Sequence, residues 1–155
     1  MSIHDTIADQ IQRLRYCCGE SPSMFAMTAG VRPDTILHIE RRTKKVPTAK
    51  LLEIAWNLDV SILYLITPSR DVIVGDTVTP AEGVALIVKN LRRFRTQAKL
   101  SQVGLGAKAG FERQRVFTYE AGERVPTLDS LEKLAAALGV QLSDFFLPLP
   151  AGARS

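Results

Sequence analysis

With 155 residues, a formal charge of +4 and a sequence pI near 9.3, the chain has room for one domain or two small all-helical ones, and a weak bias toward an anionic partner. No apolar run approaches the roughly 20 residues of a membrane span, and the N-terminus lacks the basic-then-apolar layout of a secretion signal, so a cytoplasmic protein without membrane contact is expected. The two cysteines, Cys17 and Cys18, are adjacent and cannot staple distant segments, and no further ligand stands at a zinc spacing; reduced thiols, no metal and no cofactor are expected.

Ile7, Ile11 and Leu14 recur at helical spacing and predict a first helix ending near Gly19. Ser21-Pro22 then restarts the chain with an N-cap hydroxyl and a proline at the first helical position, and Phe25 and Ala29 supply the buried side of a second helix up to Gly30. Pro33 opens a third, to about Glu40, with Ile36 and Ile39 inward. The basic loop Arg41 to Lys45 leads into Pro47-Thr48 and a fourth helix with Leu51, Ile54, Ala55 and Leu58 as its stripe; a short helix over Ile62 to Ile66 follows.

Residues 69–79, with Val72-Ile-Val74, Gly75 and few helix formers, read as a linker with a brief extended piece. Thr79-Pro80-Ala81-Glu82 has the residues of a reciprocal cap and opens a long helix whose Ile87, Leu91 and Phe94 face a core while Lys89, Arg92 and Arg93 face water. Ser101 caps the next helix, which closes at Gly110. The stretch Glu112-Arg-Gln-Arg-Val-Phe-Thr-Tyr-Glu120 gives a third, ended by Gly122. Thr127 caps a fourth with Leu131, Leu134, Ala135 and Leu138 inward and Gly139 as its stop; Leu142, Phe145 and Phe146 close the fold before a tail over 149–155.

The second half repeats the first. An offset of about 80 residues brings Ser21 onto Ser101, Gly30 onto Gly110, Ile36 onto Val116, Glu40 onto Glu120, Ala55 onto Ala135, Leu58 onto Leu138 and Pro68 onto Pro148, with one local slip in the loop before Pro47. An all-α chain of two tandem five-helix domains, 1–68 and 80–148, is expected. Charge separates the copies. Lys and Arg stand at 8 against 7 acids over residues 1–68 and at 11 against 7 over 81–155, so the second copy is the better candidate for meeting phosphate.

Within that copy, residues 112–120 form a helix with two unlike faces: Val116 and Tyr119 are apolar, while Arg113, Gln114, Arg115 and Thr118 bear groups able to reach base edges and phosphates in a major groove. A second helix, Ser101 to Ala109, precedes it across a glycine turn. Two short helices joined this way describe a helix-turn-helix.

Leu100-Ser-Gln-Val-Gly-Leu105, Ala109-Gly-Phe111, Val116 to Glu120, Ala121-Gly122, Val125-Pro126-Thr127 and Leu131 to Val140 resemble the lambda-repressor-like, or XRE/Cro-type, helix-turn-helix family over nearly all of residues 83–148. Residues 4–68 resemble it with more departures. The resemblance implies a transcriptional regulator, most simply a repressor, that binds specific double-stranded DNA with helix three in the major groove, as a homodimer or with two tandem heads. It places Arg113, Gln114 and Thr118 at base-contacting positions, with Phe117 beside them able to touch a thymine methyl. Gln102, Arg115 and Arg124 fall at phosphate-contacting ones. It further implies bridges from Arg15 to Glu40 and from Arg95 to Glu120, joining helix one to the end of helix three.

Departures separate the copies again. Pro22 replaces the phosphate-contacting Gln, and Asp34, Leu37 and His38 occupy the outer face of the first copy's third helix. Arg32, Thr35, His38, Lys44 and Lys45 are its possible DNA contacts; a copy turned to a protein partner, with Met24 and Leu37 on its surface, is the competing expectation. In the second copy Gly106 stands where the family prefers Ala, at a cost in helix stability. His4 and His38 have no carboxylate or cysteine at catalytic spacing, and no phosphate loop or paired-acid site is present in the sequence, so no enzyme is expected.

Overall fold

The computed structural model describes residues 1–68 and 77–149, and these contain nine α-helices, one 3₁₀ segment and no strand. They fall into two compact units, Met1–Pro80 and Ala81–Ser155. The extended piece expected at Val72 to Val74 and the tail beyond Leu149 lie outside the described residues.

The first unit comprises α1 (Ile3–Cys18), α2 (Pro22–Ala29), α3 (Pro33–Glu40), α4 (Thr48–Asn57) and α5 (Ile62–Ile66). Ser2 and Asp5 cap α1 reciprocally, Asp5 accepting from the Ser2 amide at 2.9 Å. Those hydrogen bonds from Ser2, first its amide and then its hydroxyl, hold the Asp5 carboxyl below its ordinary pKa. Ile7, Ile11, Phe25, Ile36, Leu51, Ile54 and Leu65 meet in a core closed to water. Tyr64 is wholly buried among them and its hydroxyl has no hydrogen-bond partner; burial pushes that phenol's pKa up.

The second unit comprises α6 (Pro80–Gln97), α7 (Gln102–Ala109), α8 (Arg113–Glu120), α9 (Leu128–Leu138) and a 3₁₀ segment, Leu142–Phe146. Its last element is thus tighter than the α-helix that closes the first unit. Ser101 Oγ accepts the Gly104 amide at 2.9 Å and Thr127 Oγ1 the Ser130 amide at 3.1 Å, satisfying donors that would otherwise be orphaned at the starts of α7 and α9. Ile87, Leu91, Leu105, Val116, Leu131, Leu134 and Phe145 form its core, and Phe94 meets Phe145 edge-on at 5.6 Å.

Each unit contains a clamp that hydrophobic periodicity does not reveal. Gln10 Nε2 donates to the carbonyls of Tyr64 (3.0 Å) and Thr67 (2.8 Å), and its Oε1 accepts from Arg13. Asn90 Nδ2 donates to the carbonyls of Phe145 and Leu147, both at 2.9 Å, and its Oδ1 accepts from Arg93. A buried amide on the first helix thereby satisfies carbonyls at the end of the last element, where no helix remains to do so. Arg93, expected in water, is instead drawn onto Asn90 and over the Phe94 ring, 4.7 Å from its centroid.

The left-handed backbone positions coincide as well. They fall at Gly19, Gly30, Arg42 and Asp59 in the first unit and at Lys99, Gly110, Gly122 and Gly139 in the second, each pair 80 residues apart. At three of the four pairs a glycine in one unit corresponds to a longer side chain in the other, so the backbone matches where the residues differ.

Candidate nucleic-acid interface

Helix α8 is anchored on one side only. Val116, Tyr119 and Glu120 are buried, which by helical spacing leaves Gln114, Phe117 and Thr118 furthest from the core and puts Arg113 and Arg115 on the flanks. Arg113, Gln114 and Arg115 are exposed; Phe117 is 45% exposed. Thr118 is half-buried and donates its hydroxyl to the Arg115 carbonyl at 2.8 Å, leaving the oxygen's acceptor capacity. The Arg115 guanidinium rests 5.2 Å from the Phe111 ring centroid, and Lys133 of α9 approaches the same ring at 5.7 Å. Arg115 is therefore tied to the turn between α7 and α8, whereas Arg113 and Gln114 extend from the first turn of α8.

That turn is unusually close. A Cβ added at Gly106 would come within 2.9 Å of the Phe111 carbonyl oxygen and 3.5 Å of Val116. The Phe111 amide meanwhile donates to the Gly106 carbonyl at 2.7 Å. The glycine expected to weaken α7 is thus what lets the helix pair approach. Gly106→Ala should destabilise the second unit by about 1–3 kcal/mol through overpacking, outweighing the about 1 kcal/mol of helix propensity it restores; thermal melts that leave the unit as stable as before would contradict this.

The far end of α8 is held by charge. The Glu120 carboxylate, 2% exposed, accepts a fork from Arg95, whose Nη2 lies 3.0 Å from Oε2 and whose Nε contacts Oε1, while Arg95 Nη1 donates to the Leu100 carbonyl at 2.9 Å. Gln102 Nε2 adds a third donor to the carboxylate, reaching Oε2 at 3.0 Å, and Arg92 reaches the Glu120 carbonyl at 3.3 Å. Burial alone would raise the Glu120 pKa, but the hydrogen bonds from Arg95 and Gln102 and the charges of Arg95 and Arg92 hold it below the ordinary carboxylate value. Gln102 is therefore committed to Glu120 through one of its N–H groups. Residues 18 apart in sequence give no local signal of that bond. Arg124 is exposed in the loop after α8.

In the first unit Arg15 grips Glu40 in the same way, Nε–Oε1 2.6 Å and Nη2–Oε2 3.0 Å, with Nη1 donating to the Glu20 carbonyl. Arg32, Thr35, His38, Lys44 and Lys45 line one cavity of about 260 Å³ together with Asp34. His38 Nδ1 lies 2.8 Å from Thr43 Oγ1. Arg42 in the same loop is turned away, onto Asp5 (3.0 Å) and Asp9 (2.5 Å) of α1. Leu37 is half-buried rather than outward, whereas Met24 and Met27 are exposed, Met27 by 75%. Cys17 and Cys18 are exposed thiols on the last turn of α1. Among the described residues no group of three or more His, Cys, Asp or Glu side chains is placed to hold a metal, and no helix is long and apolar enough to cross a membrane.

Similarity to a known family falls within the second unit. A family model described as helix-turn-helix matches residues 91–145. The HTH-type transcriptional regulator y4dJ of Sinorhizobium fredii is 36% identical over 63 residues, 41% of this chain and 82% of that protein. This chain belongs to the helix-turn-helix family. Multiprotein-bridging factor 1 of Candida glabrata is 35% identical over 77 residues, 50% of this chain but only 51% of its own length. A solved structure, the hypothetical transcription factor NHTF from Neisseria, is 35% identical with a TM-score of 0.42, covering 44% of this chain and 78% of that one. The matched residues contain α7, α8 and the turn between them, residues 110–112.

Proposed function

We propose that the chain is a double-stranded-DNA-binding transcriptional regulator, acting as a repressor by occlusion, that reads sequence with α8 of its second unit. The observation that carries this is the one-sided anchoring of α8: Arg113 and Gln114 extend outward from a helix whose inner face and far end are fixed. Arg113 suits the O6/N7 edge of guanine, Gln114 the N6/N7 edge of adenine, and Phe117 a thymine methyl. Arg115 and Arg124, with the remaining N–H of Gln102 and the first amides of α7, suit phosphate. Arg95, Glu120, Arg15 and Glu40 serve structure. The two units are proposed to be tandem copies of one helix-turn-helix domain, supported by the paired left-handed positions, forks and clamps. A homodimer on a palindromic operator is the corresponding assembly.

The test is a titration against pooled genomic fragments and selected sites at two salt concentrations. Selected sites should bind far more tightly than random DNA, with affinity falling steeply as salt rises. Arg113→Ala and Gln114→Ala should each remove about 1–3 kcal/mol of discrimination at one base pair, while Arg124→Ala weakens every duplex alike. Equal losses on all sequences from all three variants would defeat the assignment.

For the first unit a specific observation favours a second role. Arg42 is neutralised by Asp5 and Asp9, Asp34 borders the basic cavity, and Met24 and Met27 are exposed, a combination better suited to a protein partner than to phosphate. In the same titration, Lys44→Ala/Lys45→Ala should leave the salt slope unchanged; a reduced slope would make the first unit a DNA reader too.

A further inference from the structure

Along its outer face α6 carries a groove of about 260 Å³ that the proposed contacts with DNA do not use. Val88 and Leu149 give it apolar walls, Thr96 spends its hydroxyl on the Arg92 carbonyl, and Lys89, Arg92 and Arg93 supply three cations with no acid among the lining residues. The positions 88, 89, 92, 93, 96 and 97 follow one stripe of the helix over about 13 Å. Arg93 Nε is buried without a hydrogen-bond partner, so an unanswered donor stands among the groove's cations. An apolar trough rimmed by cations is complementary to a molecule that is apolar along its length and anionic at one end.

Arg92 belongs to two sites at once. It lines the groove, and it also donates to the Glu120 carbonyl at 3.3 Å with its Nε 3.9 Å from the Glu120 carboxylate, at the end of α8. A cation at a helix C-terminus steadies that end. An anion that captures Arg92 withdraws it from α8.

We propose that this groove is an effector site for amphiphilic anions, an apolar chain headed by a carboxylate or phosphate, and that occupancy draws Arg92 off Glu120 and loosens the reading helix. The coupling half rests on α8 being the DNA-contacting helix; the binding half does not. The matching face of α1 is an internal control, because there Asp9, itself paired with Arg42, and Gln12 stand where α6 has Lys89 and Arg92.

The experiment follows backbone amide shifts of the full chain by NMR during titration with decanoate below its micelle point, with decanol, sulfate and an acidic amphipathic peptide in parallel. Decanoate should move the amides of residues 88–97 and Leu149 saturably and leave α1 unmoved, while decanol and sulfate should move neither region. Lys89→Glu/Arg93→Glu should abolish the shifts with the remaining spectrum intact; Val88→Glu, which blocks the trough from its other wall, should do the same if the charge reversal disturbs folding. Equal response to sulfate or to decanol, shifts spread over both units, or a response to the peptide alone would overturn the proposal. DNA affinity should fall about fivefold or more at saturating decanoate. Unchanged affinity with the shifts present would overturn the coupling. A chain that binds no DNA even without decanoate would remove the DNA reading, and the shifts alone would then decide the groove.

Discussion

Replacing Arg95 with Ala should cost the second unit about 3–5 kcal/mol, because it strands the Glu120 carboxylate in a site closed to water. A whole domain is stable by only about 5–15 kcal/mol, so the loss should bring the unit close to unfolding at ambient temperature. Trp56, the single tryptophan, lies in the first unit, so its fluorescence transition should stay in place while NMR signals of α6 to α9 disappear early. The sign of the pH dependence is fixed by Glu120. Its folded pKa is lowered, so the stability it contributes is present above its unfolded pKa and is lost as pH falls through the folded one. The gap between wild type and Arg95→Ala should therefore narrow on acidification. Arg95→Lys keeps the charge without the fork and should fall between them. A gap that widens in acid, or a cost below about 1 kcal/mol, would mean that the carboxylate does not depend on Arg95.

Asn90→Ala should cost about 2–4 kcal/mol, since it leaves the carbonyls of Phe145 and Leu147 without their donor at about 1–3 kcal/mol each. It also releases Arg93 from its acceptor. Local consequences should exceed the global one: hydrogen exchange across residues 142–147 should accelerate before that of α7 or α8. Gln10→Ala should have the corresponding effect on α5. Uniform acceleration across the unit would show that the clamp stabilises the whole core rather than its last element.

Most of the helical framework is readable from residue order because caps, glycine stops and apolar spacing are local signals. Ser21-Pro22, Ser101, Thr127 and the stripe of α9 each act within a few residues, and the structure starts α2, α7 and α9 directly after those caps. What is not readable depends on contacts between elements. Asn90 appears in the sequence as a polar residue beside Leu91, and only the return of Phe145 and Leu147 makes its burial possible. Gly106 appears as a weak helix former until the Phe111 carbonyl is seen against it. Arg93 appears solvated until Asn90 and Phe94 draw it in. On α8 the candidate contacts are legible as residue types, but the attachment of Arg115 to Phe111 and of Gln102 to Glu120 follows from tertiary packing alone.

The mirror-handed corners at Arg42, Asp59 and Lys99 have a practical consequence. Each holds an ordinary side chain at positive φ, which costs about 1–2 kcal/mol, where the opposite unit has glycine. These corners are thus untapped reserves for engineering: Lys99→Gly, which removes no side chain assigned a contact, is where the protein can be made sturdier first, offsetting changes to α8 that would otherwise be too damaging to study.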